Sequence, residues 1–380
     1  MRAGWTVEAL GNLCDVLDSQ RKPITKKDRQ PGEYPYYGAT GIQDYVDGFL
    51  FDEPLVLVGE DGAKWDVGES TAFPVEGRCW VNNHAHVLRP HRKRLIDNWL
   101  IHYFFHTDLT QFVSGLTVPK LTQGSLREIP IPLPPVAEQR RIVSILDEAF
   151  DGIATAKANA EKNLQNARAV FETQLQTIFA EQGNGWKQKT LEEVATDFGR
   201  GKSRHRPRNA PHLYGGKYPF VQTGDIRNAD HIVTEYSQTY SEAGLAQSKL
   251  WPKGTICITI AANIAETAIL GFDACFPDSV IGVVANPKEA EVDFVEYLLQ
   301  AFKVRLQAMG KGSAQDNINM GTFESQRFPF PPVVEQRKIV KTLNLLREET
   351  QNLESIYQRK LAALDELKQS LLHQAFSGAL

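Results

Sequence analysis

The chain has 380 residues, too many for one ordinary hydrophobic core, so two or more domains are expected. Hydrophobic residues make up 42% and charged residues 23%, as in globular proteins, and no apolar run approaches the ~18 residues of a membrane-spanning helix. The net charge of −4 excludes a chain that is basic throughout, so any contact with nucleic acid must come from local patches.

The opening "MRAGWTVEALGNL" lacks the apolar stretch of a signal peptide, so a cytoplasmic protein is expected. "TVEALGNLCDVL" then reads as a short helix. The basic loop "SQRKPITKKDRQ" follows, with Arg21, Lys22, Lys26, Lys27 and Arg29 against Asp28. Next come "EYPYYGATG" and the strand-like "PLVLVGEDG", rich in β-branched residues and ended by glycine. "CWVNNHAHVL" carries Asn82, Asn83 and His84, and "NWLIHYFFHTDL" reads as a helix. The loop "GLTVPKLT" brings Lys120 to the end of this first globule. The four cysteines are scattered with no CxxC pair, which suits reduced structural thiols.

Pro130, Pro132, Pro134 and Pro135 then form a stiff entry, since proline cannot continue a helix backwards. Past them, Ile142, Leu146, Ala149, Ile153, Ala156, Ala160, Leu164, Ala167 and Phe171 recur in alternating steps of four and three. This is a coiled-coil seam on one long helix. At ~1.5 Å per residue the helix should span roughly 65 Å.

The second half repeats this order. "KTLEEVATDF" reads as a short helix, and "GRGKSRHRPRN" is a basic loop with Arg200, Lys202, Arg204, Arg206 and Arg208. "KYPFVQTGD" contains Gln222, Thr223 and Asp225, "GTICITIAANIA" reads as a strand, and "DFVEYLLQAFKVRL" as a helix. The loop "GKGSAQDNIN" holds Lys311, Gln315 and Asn317. A second proline entry at Pro329, Pro331 and Pro332 precedes a second seam at Ile339, Leu343, Leu346, Thr350, Leu353, Tyr357, Leu361 and Leu364. "PLPPVAEQRRIV" and "PFPPVVEQRKIV" align at a constant offset of 197, and both seams take two consecutive four-residue steps at the same place, a stutter. The expected architecture is globule–rod–globule–rod: 1–133, 134–182, 183–330 and 331–380. The simplest partner for one seam is the other, and the join of "QAFSGAL" to "MRAGW" resembles the internal junction "QTIFAEQGNGW". Antiparallel rods with pseudo-twofold symmetry follow.

The repeated "PLPPxxEQRxIV" block, the equal helices and the divergent flanking segments resemble the specificity subunits of type I restriction-modification enzymes over essentially the whole chain. "YPYYGATGI", which includes Tyr37, "CWVNNHAHVL" and "GSAQDNIN" are similar to segments of that family's target recognition domains. The resemblance implies an α+β protein with two target recognition domains of α/β type, separated by two long antiparallel coiled-coil helices. It implies a protein that is not an enzyme. Such a protein reads a bipartite site on double-stranded DNA, one domain per half-site. It docks two methylation subunits and, through them, two restriction subunits. S-adenosylmethionine, ATP and Mg are then expected in the partners and no cofactor in this chain.

The residues themselves point to binding without catalysis. No Asn-Pro-Pro-aromatic motif for base methylation is present, and "TDFGRGKS" has Thr196 where a phosphate loop needs glycine. His84 and His86 would share a strand face, but no third ligand follows at metal spacing. The two basic loops are suited to phosphate contacts, and Lys120, Lys311, Gln315 and Asn317 come to the foot of each domain as further candidates. Asn82, Asn83, His84, Gln222, Thr223 and Asp225 are of the types that read base edges. Glu138, Gln139 and Arg140, with Glu335, Gln336 and Arg337, open the two rods and are expected to meet the methylation subunits. The divergent globules predict an asymmetric target with a non-specific gap, which the paired rods would span. A two-module protein adaptor and an autonomous DNA-binding regulator are the alternative readings. Salt-dependent DNA binding separates the first from the rest, and co-purification with a methylation subunit separates the second.

Overall fold

A computed structural model describes residues 4–115, 117–204, 207–261, 264–310 and 320–380. Arg206, Lys311, Gln315 and Asn317 therefore lie outside the described residues. The chain forms two compact units: Met1–Lys162 with Tyr357–Leu380, and Asn163–Ile356. The α-helices among the described residues are α1 Asp97–His106, α2 Gln123–Glu128, α3 Val136–Ala180, α4 Thr223–Asn228, α5 Glu242–Ala246, α6 Val292–Gly310, α7 Met320–Ser325 and α8 Val333–Ser377. None of the described helices is long and apolar enough to cross a membrane.

In the first unit, strands Cys14–Val16, Ala85–Pro90, Leu55–Gly59 and Ala72–Val75 form one antiparallel sheet in that order. A second sheet orders Gly41–Val46, Pro31–Gly38, Arg78–Val81 and Phe51–Asp52. The strand Leu55–Gly59 is buried along its whole length because both of its faces are covered. Its side chains alternate accordingly. Val56 and Val58 join a core with Trp99 and Leu146, whereas Leu55 and Leu57 join another with Phe51 and Val81. The helix expected over "TVEALGNLCDVL" is instead a strand, Thr6–Ala9, a 3₁₀ turn and the strand Cys14–Val16. Pairing of Thr6–Ala9 with Pro130–Leu133 and of Cys14–Val16 with Leu88–Pro90 overrides local propensity. The prolines fit because a two-stranded ribbon leaves one edge of each strand outside the ladder.

The second unit uses the same frame with a different sheet. Strands Ala195–Arg200, Val280–Ala285, Ile256–Thr259, Thr267–Leu270 and Ile232–Val233 form five neighbours in that order. Alternation again divides the core: Ile256 and Ile258 pack with Phe294 of α6, while Cys257 packs with Trp251 and Phe276. Lys187–Lys189 pairs with Phe328–Phe330, the counterpart of the first unit's proline ribbon. "KTLEEVATDF", also expected to be helical, forms the end of that strand, a 3₁₀ turn and the start of Ala195–Arg200.

The two long helices are both 45 residues. Each residue of α3 corresponds to the one 197 positions on in α8, from Val136 and Val333 to Ala180 and Ser377. In the first unit Ile142, Val143 and Leu146 of α3 share a core with Leu372 and Ala375 of α8. In the second, Leu175 and Phe179 share one with Leu343. Within each unit the two segments run antiparallel. Ile153, Ala160 and Ala167 are buried at seven-residue spacing, as the seam predicts. Leu353 departs from it and is 43% exposed. At the stutter the buried face steps from Thr350 to the half-buried Tyr357, which leaves Leu353 outside.

Candidate nucleic-acid interface

In the first unit the basic loop is tied to the turn Val81–Ala85. Arg21 donates to the Ala85 carbonyl at 2.8 Å, the Lys22 N–H to the Val81 carbonyl at 3.4 Å, and the Trp80 indole to the Lys22 carbonyl at 2.6 Å. The Asn82 N–H donates to the Tyr37 carbonyl at 3.0 Å. Lys120 pairs with Glu60 at 2.7 Å, and His84 contacts Asp61, which bridges to Lys120. The candidates of this half therefore converge on one edge. Lys22, Lys26, Lys27, Asn83 and His84 are exposed there, and Tyr37 is half-buried against Phe73.

Two of them have other work. Arg21 is held by Glu60 and Asp18, with only 12% of its side chain exposed. Its charge balances buried carboxylates, which corrects the expectation of a phosphate contact. Asn82 is 3% exposed; its amide donates to Gln43 at 3.2 Å and accepts from the His84 N–H at 2.8 Å. It shapes the turn that presents Asn83 and His84, which corrects the expectation of a base reader. Beneath this edge lies the buried His86. One ring nitrogen meets Asp18 at 2.6 Å and the other the Leu121 carbonyl at 2.7 Å. Burial opposes the Asp18 charge, but His86, the Val87 N–H and Arg21 outweigh it and hold that carboxyl below its ordinary range. Ligand atoms of Asp18, Glu60 and His86 lie within 4.8 Å of one another. Arg21, held among them, supplies positive charge to these carboxylates, while the Lys120 side chain that reaches Glu60 stays 43% exposed.

In the second unit, the basic loop leaves the strand Ala195–Arg200 at Gly201. A Cβ there would lie 2.3 Å from the Phe276 carbonyl oxygen, so only glycine permits the approach. Arg200 donates to the Asp278 carbonyl at 2.7 Å, and Arg208 pairs with the Asp278 carboxylate at 2.7 Å. The Lys202 carbonyl accepts from Ser248, and Lys202 and Arg204 are exposed. On the other side of the same segment the Val221 N–H donates to the Cys275 carbonyl at 2.8 Å. Cys275–Asp278 thus places the basic loop beside Gln222 and Thr223 at the start of α4. Gln222 and Thr223 are half-buried. Asp225 is engaged in capping: its carboxylate accepts from the Gln222 N–H at 2.8 Å and from Ser237 at 3.3 Å. That capping holds Asp225, which is half-buried, in the first turn of α4.

The helix entries show the clearest change from expectation. Gln139 and Gln336 are fully buried. The Gln139 amide accepts from the Ile96 N–H at 3.0 Å and donates to the carbonyls of Arg94 at 2.7 Å and Pro134 at 2.9 Å. The Gln336 amide accepts from the Glu291 N–H at 2.9 Å and donates to the carbonyls of Glu289 at 3.0 Å and Pro331 at 2.9 Å. Both residues clamp a long helix to the segment before a globular helix, α1 or α6. This corrects their assignment to a partner surface, since no face remains to offer. Glu138 is turned to Arg141 at 2.8 Å, Glu335 accepts from the Trp186 indole at 3.0 Å, and Arg337 pairs with Glu291 at 2.5 Å. Arg140 and Arg337 are exposed.

Sequence reasoning passed over a further cluster in the second unit. His231 lies between Asp293 at 2.8 Å and the fully buried Glu296 at 2.9 Å, stacked on Tyr297. Burial disfavours its charge, but the two carboxylates prevail and raise its pKa to about 9. It lines a cleft of about 750 Å³ with Asp293, Tyr297, Asn344, Arg347 and Gln351. The signal available was a histidine ahead of the i, i+3 carboxylates of "VDFVE", which spacing alone does not join.

Comparison with known proteins follows this geometry. The family described as the type I restriction modification DNA specificity domain matches residues 2–165 and again 183–360. The EcoKI specificity subunit of Escherichia coli K12 is 23% identical over 355 residues, covering 86% of this chain and 75% of that protein. A chain from a structural study of complex assembly and conformational transition of the type I R-M system superposes with a TM-score of 0.78 at 20% identity, covering 100% of this chain and 99% of that one. The HsdS subunit of Thermoanaerobacter tengcongensis superposes at 0.64 with 19% identity over 100% and 98%.

Proposed function

The chain belongs to the type I restriction-modification specificity-subunit family, and from that premise we propose that it reads an asymmetric, bipartite site on duplex DNA, one half-site per recognition domain. The observation that carries this reading is one frame used twice with different loops. Each unit has a two-stranded ribbon, a buried glutamine clamp and a long helix, and each presents its own basic edge. Lys22, Lys26, Lys27 and Lys120 contact phosphates in one half-site; Arg200, Lys202, Arg204 and Arg208 do so in the other. Asn83 and His84 read bases on the first edge, and Gln222 and Thr223 on the second. The chain itself performs no chemistry. It docks two methylation subunits through the quasi-equivalent helix entries, with Arg140 and Arg337 exposed on both and apolar Val334 and Leu345 exposed on α8. Restriction subunits join through them, and S-adenosylmethionine, ATP and Mg act in those partners.

The test is the salt dependence of DNA binding by the assembled methylation complex. Replacing Arg200, Lys202, Arg204 and Arg208 by alanine should weaken binding to all sequences and flatten the slope of log affinity against log salt by up to about 3 to 4. Unchanged affinity and slope would remove this loop from the interface.

A further inference from the structure

The outer leucine layers of α3 and α8 do not distinguish the two helices. Leu146 and Leu372 share the core of one unit, and Leu343 and Leu175 share the core of the other. By the 197-residue correspondence these are the same two positions, occupied by leucine in both helices. An α3–α3 or α8–α8 pair would preserve them.

The charged contacts behave differently. Lys157 of α3 pairs with Asp365 of α8 at 2.7 Å, and Arg168 of α3 pairs with Glu354 of α8 at 2.8 Å. Lys157 corresponds to Glu354, and Arg168 to Asp365. The cations therefore both belong to α3 and the acids both to α8. An α3–α3 pair would set Lys157 against Arg168 twice, and an α8–α8 pair would set Glu354 against Asp365 twice. The ring contacts act against the α8–α8 pair alone. Lys368 lies 5.0 Å from the Phe150 ring, and Arg347 lies 5.1 Å from the Phe171 ring. Phe150 corresponds to Arg347 and Phe171 to Lys368. In an α8–α8 pair Phe150 and Phe171 are both lost, Arg347 keeps only Tyr297, and Arg347 faces Lys368.

We infer that these four charged positions select pairing between unlike halves of the chain and oppose pairing of a half with its own copy. The leucine layers alone would accept either helix of another molecule, and the seam positions that differ between the helices (Ile153 for Thr350, Ala160 for Tyr357, Ala167 for Leu364) are uncharged, so the charged pairs add discrimination by repulsion. Each exposed pair shifts an equilibrium by only about two- to fivefold. Exchanging two attractive pairs for two repulsive ones changes four such factors at once, a discrimination on the order of tenfold or more.

The experiment uses the full chain with a protease site inserted in the exposed segment between Asn184 and Gly185, cut after purification, unfolded in urea, refolded and weighed by native mass spectrometry. The unaltered cut chain should return as the one-to-one complex of unlike fragments. The variant Lys157→Glu with Asp365→Lys keeps both unlike pairs attractive, Glu with Lys and Arg168 with Glu354. It also makes like pairs attractive, and it should yield complexes of like fragments as well. Like complexes in comparable amount from the unaltered chain would overturn the inference, as would a variant no less selective than the original. Should the fragments not reassemble, the intact chain decides. Lys157→Glu alone should raise the unfolding equilibrium constant by about threefold and adding Asp365→Lys should restore it; absence of restoration would equally overturn the inference.

Discussion

At the scale of single residues, the strongest claim concerns the buried glutamines. A Gln139 or Gln336 amide satisfies one backbone N–H and two backbone carbonyls that have been taken from water. Truncation to alanine leaves those groups unpaired. Each change should destabilise the protein by roughly 2–4 kcal/mol, and denaturant unfolding measures it. Replacing the neighbouring Arg140, which is exposed, should cost little stability and weaken partner docking instead. The sequence showed that "EQR" is repeated but not which way each side chain points. A glutamine in the first turn of an amphipathic helix looks like a surface residue until its neighbours in space are known. The same blindness applied to Asn82 and Arg21. Their residue types suit DNA, yet Asn82 is engaged by Gln43 and Arg21 by Glu60, each 39 residues away, and Arg21 also by the nearby Asp18.

At the scale of elements, the segment around His231 is fastened to α6 by a charge that pH can remove. The folded pKa of about 9 lies above the ordinary 6.5. The stabilisation is therefore complete below about pH 6.5 and is lost as pH rises through about 9. The urea midpoint should fall over that range, and His231→Asn should lessen the fall; identical pH profiles for the two proteins would contradict this fastening. The helices α1, α3, α6 and α8 were legible because each has an apolar period long enough to outweigh noise, and proline marks the starts of α3 and α8. The strands Leu55–Gly59 and Ile256–Thr259 were legible as short β-branched runs ended by glycine or polar residues. The segments after "GW" were not, because their ribbon partners lie more than a hundred residues away. Cys14 and Cys79 sit in the cores, and burial pushes both thiols up to about 12, in keeping with structural roles.

At the scale of the whole molecule, the internal repeat was the most informative feature of the sequence, and it led to the family before any side chain had been placed. What it could not show is how the repeat is divided. Each compact unit takes a globule together with the start of one long helix and the end of the other. A frame used twice with unlike loops has a direct consequence for DNA: the two half-sites should be different sequences, and the bases between them should not matter. Methylation mapping of genomic DNA from a host that expresses this chain with its methylation subunit tests that claim most directly. The account predicts one asymmetric bipartite motif, two unlike half-sites separated by a gap of fixed length and free sequence. A palindromic site, or one continuous motif without a gap, would contradict it.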